Sequence, residues 1–221
     1  MMQNNGRLWA EPNELSRESP AEGVTLLHGF CREDAPQIYE AIRQVESISP
    51  FRQMVVPGGH TMSVAMTNCG ELGWTTDRSG YRYTPEDPMT GAPWPAMPEI
   101  LLSLARRAAA EGGSAEFRPN GCLINRYAVG ARLSLHQDRN ERDYSQPIVS
   151  VSLGLPATFL LGTLRRTDTP RRIRVEHGDV LVWGGPARLI FHGIAPIRAG
   201  HDPLTGNYRI NLTFRHVASD D

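Results

Sequence analysis

The chain has 221 residues, of which 40% are hydrophobic, and this length supports one hydrophobic core rather than two. Its formal net charge is −1, so the molecule as a whole does not attract nucleic acid or an anionic membrane, and any such contact needs a local basic patch. All 23 basic residues are arginine, so every cationic contact is a planar guanidinium suited to carboxylate or phosphate.

The first part of the chain predicts an arm, a strand and a helix. Residues 1–22 are polar and lack the apolar stretch of a signal peptide, so we expect a flexible arm ahead of a single domain at 23–221. Residues 24–30 are typical of a strand. After Asp34 as a helix cap, apolar residues at helical spacing predict a helix that ends at Pro50.

Residues 57–98 differ from the rest of the chain because they are rich in glycine, proline, threonine and aromatic residues. This composition predicts short strands and long turns. A segment of this length with little core-forming power is often a binding lid, which is how we interpret it. A helix follows near Pro98 and ends at Gly112 and Gly113.

From residue 117 onward the pattern becomes that of β-strands. The predicted strands are 122–128, 133–138, 148–155, 157–164, 172–176, 179–184, 187–193 and 208–217. Eight short strands separated by turns are typical of a sandwich or jelly roll. We therefore predict a mainly β fold with flanking helices.

A candidate metal site lies in the segment LSLHQD. Side chains alternate between the faces of a strand, so His136 and Asp138 point to the same side. His192, at the end of a later predicted strand, is a candidate third ligand. Two histidines and one carboxylate leave open positions on one side of a metal, as in non-heme iron oxygenases. The HxD pattern also occurs without a metal, and His177, in a predicted turn, is the best alternative ligand.

The last predicted strand has a polar face that suits an anion and consists of Arg209, Asn211, Thr213 and Arg215. Inward-facing arginines are unfavourable unless an anion meets them, and guanidinium groups bind carboxylates in bidentate fashion. The two Cα atoms lie ~20 Å apart on a strand, so long side chains leaning inward could hold both ends of a small diacid. The alternative is an edge strand whose arginines face solvent.

The predicted strand 122–128 adds two candidate ligand contacts. Asn125 and Tyr127 share a face, so both could donate hydrogen bonds to the same small ligand. The alternative is a structural role in a cavity wall.

Taken together, these segments resemble the AlkB family of nucleic-acid dealkylating dioxygenases. The matching strings are PFRQMVVPGGHTMSVAMTNCGELGWTT, PWPAMP, CLINRYAVGARLSLHQDRNE, PIVSVSLGLPATF, EHGDVLVWGGPARLIFHGI and NYRINLTFR. They follow one another in the family's order over residues 50–216, which is most of the chain. The resemblance implies a double-stranded β-helix, a form of jelly roll, with residues 57–98 as a nucleotide-recognition lid.

The resemblance also implies cofactors and their ligands. Fe(II) would be held by His136, Asp138 and His192. Arg209 would bind the distal carboxylate of the cosubstrate 2-oxoglutarate, and Arg215 would approach the carboxylate beside the keto group. The other cosubstrate contacts would be Asn125, Arg126, Tyr127, Asn211 and Thr213. Reaction with dioxygen would give succinate and CO2 and release an N-methyl group as formaldehyde.

Under the same resemblance the lid would bind the nucleotide. A base has to leave the stack to reach buried iron, so Trp74 would stack on one face and the ring of His136 would back the other. Tyr81 would contact the backbone phosphates, and the remaining lid contacts would be Met66, Arg82 and Tyr83. For Trp74 and Tyr81 the alternative is ordinary lid packing.

An arginine-rich segment, 165–174, together with Arg188, could supply the local phosphate patch. Arg166 in this segment matches the family's nucleotide-contact arginine. The alternative is a solvated hairpin, which is the usual meaning of a charge run.

Asn140 departs from the bacterial members of the family, which have an acidic residue at this place. A carboxylate favours a cationic methylated base and only accepts hydrogen bonds, whereas an amide is neutral and both donates and accepts. We therefore expect a shifted preference among lesions, with weaker discrimination for 1-methyladenine, and Glu141 could partly compensate.

The leading hypothesis is oxidative demethylation of N-alkylated bases, such as 1-methyladenine and 3-methylcytosine, in alkylated DNA or RNA that is single-stranded or has a flipped base. One alternative is an iron enzyme of the same type that acts on a protein or small molecule. Another is a non-catalytic jelly-roll binding module, in which we would expect at least one residue of the metal triad or of the arginine pair to be replaced. All five residues are present in the sequence.

Three further expectations concern the state of the protein in the cell. The cysteines are odd in number and form no CxxC pair, which disfavours a disulfide framework and fits a reducing cytoplasm. No apolar run approaches the ~20 residues of a membrane span, so we expect no membrane contact. The resemblance favours a monomer.

Overall fold

The computed structural model describes residues 16–217 and contains, over this range, fourteen strands, two α-helices and one 3-10 helix. The strands are β1 (Arg17–Ala21), β2 (Val24–Leu27), β3 (Arg52–Val55), β4 (Thr61–Gly70), β5 (Gly73–Asp77), β6 (Gly80–Thr84), β7 (Gly121–Tyr127), β8 (Leu133–His136), β9 (Ile148–Gly154), β10 (Ala157–Leu161), β11 (Arg171–Val175), β12 (Val180–Trp183), β13 (His192–Ile194) and β14 (Arg209–Arg215). The helices are α1 (Ala35–Ile48), α2 (Glu99–Glu111) and the 3-10 helix Gly185–Ala187.

The strands form a large sheet, a small sheet and a separate hairpin. The large sheet has the order β1-β2-β12-β9-β14-β7-β4-β3, and the small sheet has the order β11-β10-β13-β8. Strands β5 and β6 pair only with each other. Side chains of both sheets, among them Tyr127, Phe159 and Trp183, pack into one hydrophobic cluster. This arrangement confirms the predicted mainly β, jelly-roll fold.

The two helices cover the other face of the large sheet. Helix α1 buries Ile38, Ile42 and Val45, the apolar stripe that predicted it. Helix α2 begins after Pro98, ends at Gly112 and buries a similar stripe of leucine and alanine. Both stripes pack against the large sheet in a second hydrophobic cluster. No helix among the described residues is long and apolar enough to cross a membrane.

Strand β14 lies in the interior of the large sheet, between β7 and β9. All seven of its residues are buried. The alternative of an edge strand with solvated arginines is therefore wrong, and the polar face of β14 is directed into the protein.

Three predicted boundaries are corrected by the structure. Residues 17–21 form β1 and pair with β2, so the arm does not extend to residue 22; residues 1–15 lie outside the described range. Strand β4 pairs with β7 from Val64 to Gly70 and with β3 on its other side, so only the β5–β6 hairpin and the turns after it project as a lid. The predicted strand 187–193 is replaced by the 3-10 helix and by β13, because Gly184, Gly185 and Pro186 introduce a turn.

Candidate metal centre and active site

A cavity of about 920 Å³ opens beside the small sheet, under the β5–β6 hairpin. Its walls include most of the predicted site residues, namely Met66, Trp74, Tyr81, Asn125, Tyr127, His136, Asp138, Asn140, Arg166, His192, Asn211, Thr213 and Arg215. The predicted site residues that do not line it are Arg82, Tyr83, Arg126 and Arg209.

The three candidate metal ligands converge at one end of this cavity. His136 on β8 and His192 on β13 are directly opposite each other in the small sheet. The Nε2 atoms of His136 and His192 lie 3.6 Å and 3.8 Å from the carboxylate oxygens of Asp138. Two ligand bonds of ~2.1 Å span separations up to ~4.2 Å, so one ion can bind both pairs. Among the described residues these three form the one such cluster of potential ligands.

The close approach of β8 and β13 depends on Gly193, the residue after His192. A Cβ atom at this position would lie 2.6 Å from the carbonyl oxygen of Leu133. Any other residue would force the two strands apart and separate the imidazoles.

Backbone carbonyls set the orientation of both imidazoles. Nδ1 of His136 lies 2.8 Å from the carbonyl oxygen of Ser134, and Nδ1 of His192 lies 3.2 Å from that of Ile190. Because a carbonyl only accepts, each Nδ1 carries the proton and each Nε2 presents a lone pair towards Asp138. Burial and the neighbouring His136 lower the pKa of His192 to about 4, so the His192 imidazole is neutral and ready to bind a metal at neutral pH.

Arg215 fixes the carboxylate of Asp138. Its Nε and Nη2 atoms donate to Oδ2 of Asp138 at 3.0 Å and 2.7 Å. Burial alone would raise the pKa of Asp138, but Arg215 and the two imidazoles outweigh it and hold that pKa below its usual range. The carboxylate is therefore ionised in a buried site, as a metal ligand must be.

The buried guanidinium of Arg209 is a candidate binding group for an anionic cosubstrate. Its guanidinium is buried beside the ring of Tyr127, and only Nη2 has a partner, the hydroxyl of Ser152 at 3.0 Å. Nε and Nη1 have no hydrogen-bond partner. A buried cation with unpaired donors is unfavourable unless an anion meets it. A carboxylate at this place would resolve the conflict, so the donor set fits 2-oxoglutarate.

Amide and hydroxyl groups line the wall between Arg209 and the metal ligands. Asn211 donates through Nδ2 to Ser150 Oγ at 2.8 Å, and its Oδ1 accepts from Asn125 Nδ2 at 3.2 Å and from Thr213 Oγ1 at 3.0 Å. Oδ1 of Asn125 is buried without a partner. These groups are held in place and leave hydrogen-bonding capacity for a small polar ligand.

The β5–β6 hairpin places an aromatic pair at the cavity mouth. The rings of Trp74 and Tyr81 stack with centroids 5.8 Å apart, and Tyr81 is half exposed. Asn68 anchors the base of the hairpin, because its side chain exchanges two hydrogen bonds of 3.0 Å with the backbone of Trp74. The mouth therefore presents flat apolar rings on a fixed support, which suits a planar heterocycle.

Two predicted contacts, Arg126 and Arg82, lie elsewhere because of strand alternation. Arg126 lies on the face of β7 opposite Asn125 and pairs with Glu46 at 2.7 Å, so the prediction that it contacts the cosubstrate is not supported by its position. Arg82 alternates with Tyr81 on β6 and donates to Asp77 at 2.6 Å on the hairpin itself.

Tyr83 shares a face of β6 with Tyr81 but is not part of the cavity wall. Its hydroxyl donates to Glu141, a lining residue, at 2.6 Å. Its position is therefore that of a support for the hairpin.

The basic rim differs from the one predicted. Arg166 and Asn140 are exposed at the cavity mouth, as expected for substrate contacts. Arg188, however, is only 3% exposed and is not part of a surface patch. Two exposed arginines that sequence reasoning missed, Arg132 and Arg139, also line the cavity. They were missed because each stands alone in the sequence rather than in a basic run.

His177, the alternative metal ligand, has a structural role in a turn. Its Nδ1 accepts a 3.0 Å hydrogen bond from the backbone of Gly154 and lies 3.5 Å from Asp202. It therefore supports the β9–β10 turn and does not join the metal cluster.

The sequence and the fold have clear relatives. Residues 23–215 match the 2OG-Fe(II) oxygenase superfamily. The chain is 57% identical to proteins named alpha-ketoglutarate-dependent dioxygenase AlkB from Salmonella typhimurium (strain LT2) and Escherichia coli (strain K12), over 93% of this chain and 95% of each relative. It is 30% identical to the tRNA demethylase abh1 of Schizosaccharomyces pombe, over 66% of this chain and 53% of that one.

A solved structure, that of OsALKBH1, superimposes with a TM-score of 0.78 at 29% identity. The alignment covers 91% of this chain and all of the other.

Proposed function

The chain belongs to the 2OG-Fe(II) oxygenase superfamily and, within it, to the AlkB family of dioxygenases, and we propose that it repairs N-alkylated bases in nucleic acid by oxidative demethylation. It is an Fe(II)- and 2-oxoglutarate-dependent enzyme, which sets aside the non-catalytic binding module. The observation that carries the proposal is a cavity lined by a metal triad, with stacked aromatic rings at its mouth and with the buried guanidinium of Arg209 on β14, the strand that supplies Asn211, Thr213 and Arg215 to the cavity wall.

The candidate ligands of each cofactor line this cavity or, in the case of Arg209, lie against the ring of Tyr127, which lines it. His136, Asp138 and His192 would hold Fe(II), and Arg209 with Asn125 would bind 2-oxoglutarate. With dioxygen, these cofactors supply the oxidation that turns an N-methyl group into a hydroxymethyl group, which leaves the base as formaldehyde. The protein's contribution is to position the methyl group and exclude water.

Residues of the chain perform that positioning in three ways. The Nδ1 hydrogen bonds keep both imidazoles aimed at one point, and Arg215 keeps Asp138 ionised and oriented. Its buried position and unpaired donors would make Arg209 selective for an anionic group of the cosubstrate. The hydrophobic cluster around Phe159 and Trp183 borders the triad and limits access of water.

The aromatic mouth supports a nucleic-acid base as substrate rather than a protein side chain. Trp74 and Tyr81 offer a stacking surface worth ~1–3 kcal/mol per base, and such stacking needs a base that has left the duplex. Arg132, Arg139 and Arg166 at the rim would meet the backbone phosphates. We therefore propose alkylated DNA or RNA, single-stranded or with a flipped base, as the substrate.

We propose, from the family to which the chain belongs, that the enzyme acts as a monomer. The three cysteines are free and buried, which fits the reducing cytoplasm that we propose as its compartment.

The test of the proposed function is formaldehyde release. The protein is loaded anaerobically with Fe(II), 2-oxoglutarate and an oligonucleotide containing 1-methyladenine, and oxygen is then admitted. We expect formaldehyde and succinate in equal amounts. His136→Ala removes a metal ligand and should abolish both products. Formaldehyde release that persists in the folded variant would contradict the metal assignment.

Asn140 should tune the choice among lesions. It is exposed at the cavity mouth, and Glu141 cannot replace its missing charge because the Glu141 side chain is buried and bonded to Tyr83 and Arg188. Asn140→Asp should therefore raise the rate for cationic 1-methyladenine relative to neutral 3-methylthymine, by severalfold. The two rates are compared on oligonucleotides of identical sequence, and an unchanged ratio would count against a base contact at this position.

A further inference from the structure

Glu141 follows strand β8 and lines the cavity, but its side chain is buried and its carboxylate is engaged by neighbouring residues. Its side chain is 2% exposed, and both of its oxygens are used. Oε1 accepts from the hydroxyl of Tyr83 at 2.6 Å, and Oε2 accepts from Nη2 of Arg188 at 3.2 Å. Nε of Arg215 lies 3.6 Å from Oε1. The carboxylate therefore joins the lid hairpin to two buried arginines, and we call these four residues the Glu141 cluster.

Arg188 fastens the loop that carries Asp138. Its Nη1 donates to the carbonyl of Asp138 at 2.7 Å, and its Nε donates to the carbonyl of Gln146 at 3.0 Å. Three of its nitrogen atoms thus hold the two ends and the middle of residues 138–146. Arg188 also ends the 3-10 helix that leads into His192, so one guanidinium connects the backbone segments of two metal ligands.

The charges of the Glu141 cluster and the adjoining Asp138 are balanced only when Glu141 is ionised. Two carboxylates, Asp138 and Glu141, face two guanidiniums, Arg188 and Arg215, and all four side chains are at least 90% buried. In a buried site an unmatched guanidinium is strongly unfavourable. Without the charge on Glu141, Arg188 would lose its carboxylate partner, and Arg215 would be paired with Asp138 alone, which would then have less negative charge available for a metal ion.

We propose that Glu141 is a positioning residue with two roles: it neutralises Arg188 and Arg215 so that Asp138 remains free to bind the metal, and it ties the β5–β6 hairpin to the metal centre through Tyr83. The proposal rests on the metal site of the proposed function. It differs from a base-contact role for Glu141, because it predicts an effect in the absence of any nucleic acid.

The first test measures metal affinity without turnover. Metal-free protein is titrated with Co²⁺, and binding is followed by the visible d–d absorption of the ion. Glu141→Gln keeps the shape of the side chain but removes its charge, and we expect the Kd for Co²⁺ to rise about 10- to 100-fold, the usual effect of losing an outer contact to a metal ligand. The matched control is Glu46→Gln, which breaks the ion pair with Arg126 on the other face of β7. The control should bind Co²⁺ as the wild type does.

The second test covers the link to the hairpin and serves if Glu141→Gln does not fold. Tyr83→Phe removes only the hydroxyl group. In the wild type, Co²⁺ should slow hydrogen exchange of the amides in residues 73–84, and in Tyr83→Phe this slowing should disappear. The control is Tyr81→Phe, because Tyr81 is half exposed and contacts Trp74 through its ring, which this change preserves.

The outcomes separate this inference from the proposed function. Wild-type protein that fails to bind Co²⁺ would contradict the metal site and the proposed function with it. Wild-type binding together with an unchanged Kd in folded Glu141→Gln would overturn the first role of Glu141 alone. Equal slowing of exchange by Co²⁺ in Tyr83→Phe and wild type would overturn the second role.

Discussion

Arg209 is a buried cation whose guanidinium is only partly satisfied by hydrogen bonds within the protein. Nε and Nη1 have no hydrogen-bond partner, while Ser152 satisfies Nη2. Leaving a buried donor unsatisfied costs about 1–3 kcal/mol, so the site is unfavourable until an anion binds. Burial lowers the pKa of Arg209, yet the group remains protonated in the neutral range. Its role is therefore most visible in cosubstrate affinity.

Replacement of Arg209 tests this directly. Arg209→Met has a similar volume and removes the charge, so we expect the KM for 2-oxoglutarate to rise about 10- to 100-fold, the loss of a charge-assisted contact of ~1.5–3 kcal/mol. The melting temperature of the protein without cosubstrate should stay the same or rise, because an unpaired buried charge has been removed. Succinate formation at increasing 2-oxoglutarate and a thermal melt provide the two measurements.

Arg126→Met is the matched control for this prediction. Arg126 lies on the other face of β7, pairs with Glu46 and stacks over Phe51. Its replacement should leave the KM for 2-oxoglutarate unchanged. An equal rise in both variants would mean that general damage to the sheet, rather than loss of a cosubstrate contact, explains the effect.

At the scale of the elements, two-residue alternation predicted much of the site. Alternation correctly predicted that Arg209 and Arg215 share one face of β14 and that Asn125 and Tyr127 share one face of β7. The two strands are neighbours in the large sheet. The predicted cosubstrate contact of Arg126 came from the family resemblance and not from alternation. Alternation places Arg126 on the face of β7 opposite Asn125 and Tyr127.

The pairing of distant strands could not be predicted from the sequence. The register that sets His192 opposite His136 joins β8 to β13 across more than fifty residues, and local patterns carry no information on it. The close approach at Gly193 is likewise visible only once both strands are present. Composition was misleading for β4, because threonine, methionine and glycine lowered its apparent core-forming power although Val64 and Met66 are buried.

Buried charge was the other feature that sequence reasoning missed. Arg188 stands near an arginine-rich segment and was assigned to the surface, but it is enclosed and bonded to Glu141. Charged residues are usually exposed, and only the presence of a partner at the right distance makes a buried position favourable. Such a partner is a property of the folded chain, so this cluster emerges only from the structure.

At the scale of the whole molecule, the candidate ligands of the cofactors come from both sheets. His136 and His192 belong to the small sheet, whereas Arg209 and Arg215 belong to β14 of the large sheet. A metal ion and 2-oxoglutarate bound together would therefore connect the two layers of the jelly roll. Since neither ligand has this site in the unfolded chain, binding should stabilise the folded state.

The size of this stabilisation can be predicted. Ligands at a hundred times their Kd add about 2.7 kcal/mol to the free energy of unfolding. For a domain of this size, each kcal/mol raises the Tm by about 2–4 °C, so Mn²⁺ with 2-oxoglutarate should raise the Tm by roughly 5–10 °C, and a chelator should reverse the shift. Mn²⁺ is used because thermal scans then avoid oxidation of Fe(II). In His136→Ala the increase in Tm should be lost, because the ion has lost one of its three protein ligands. Arg209 is unchanged in this variant, so the loss would be due to the metal site. If the variant gained the full increase in Tm, the ions would be binding elsewhere on the protein, and the two sheets would not be joined through this site.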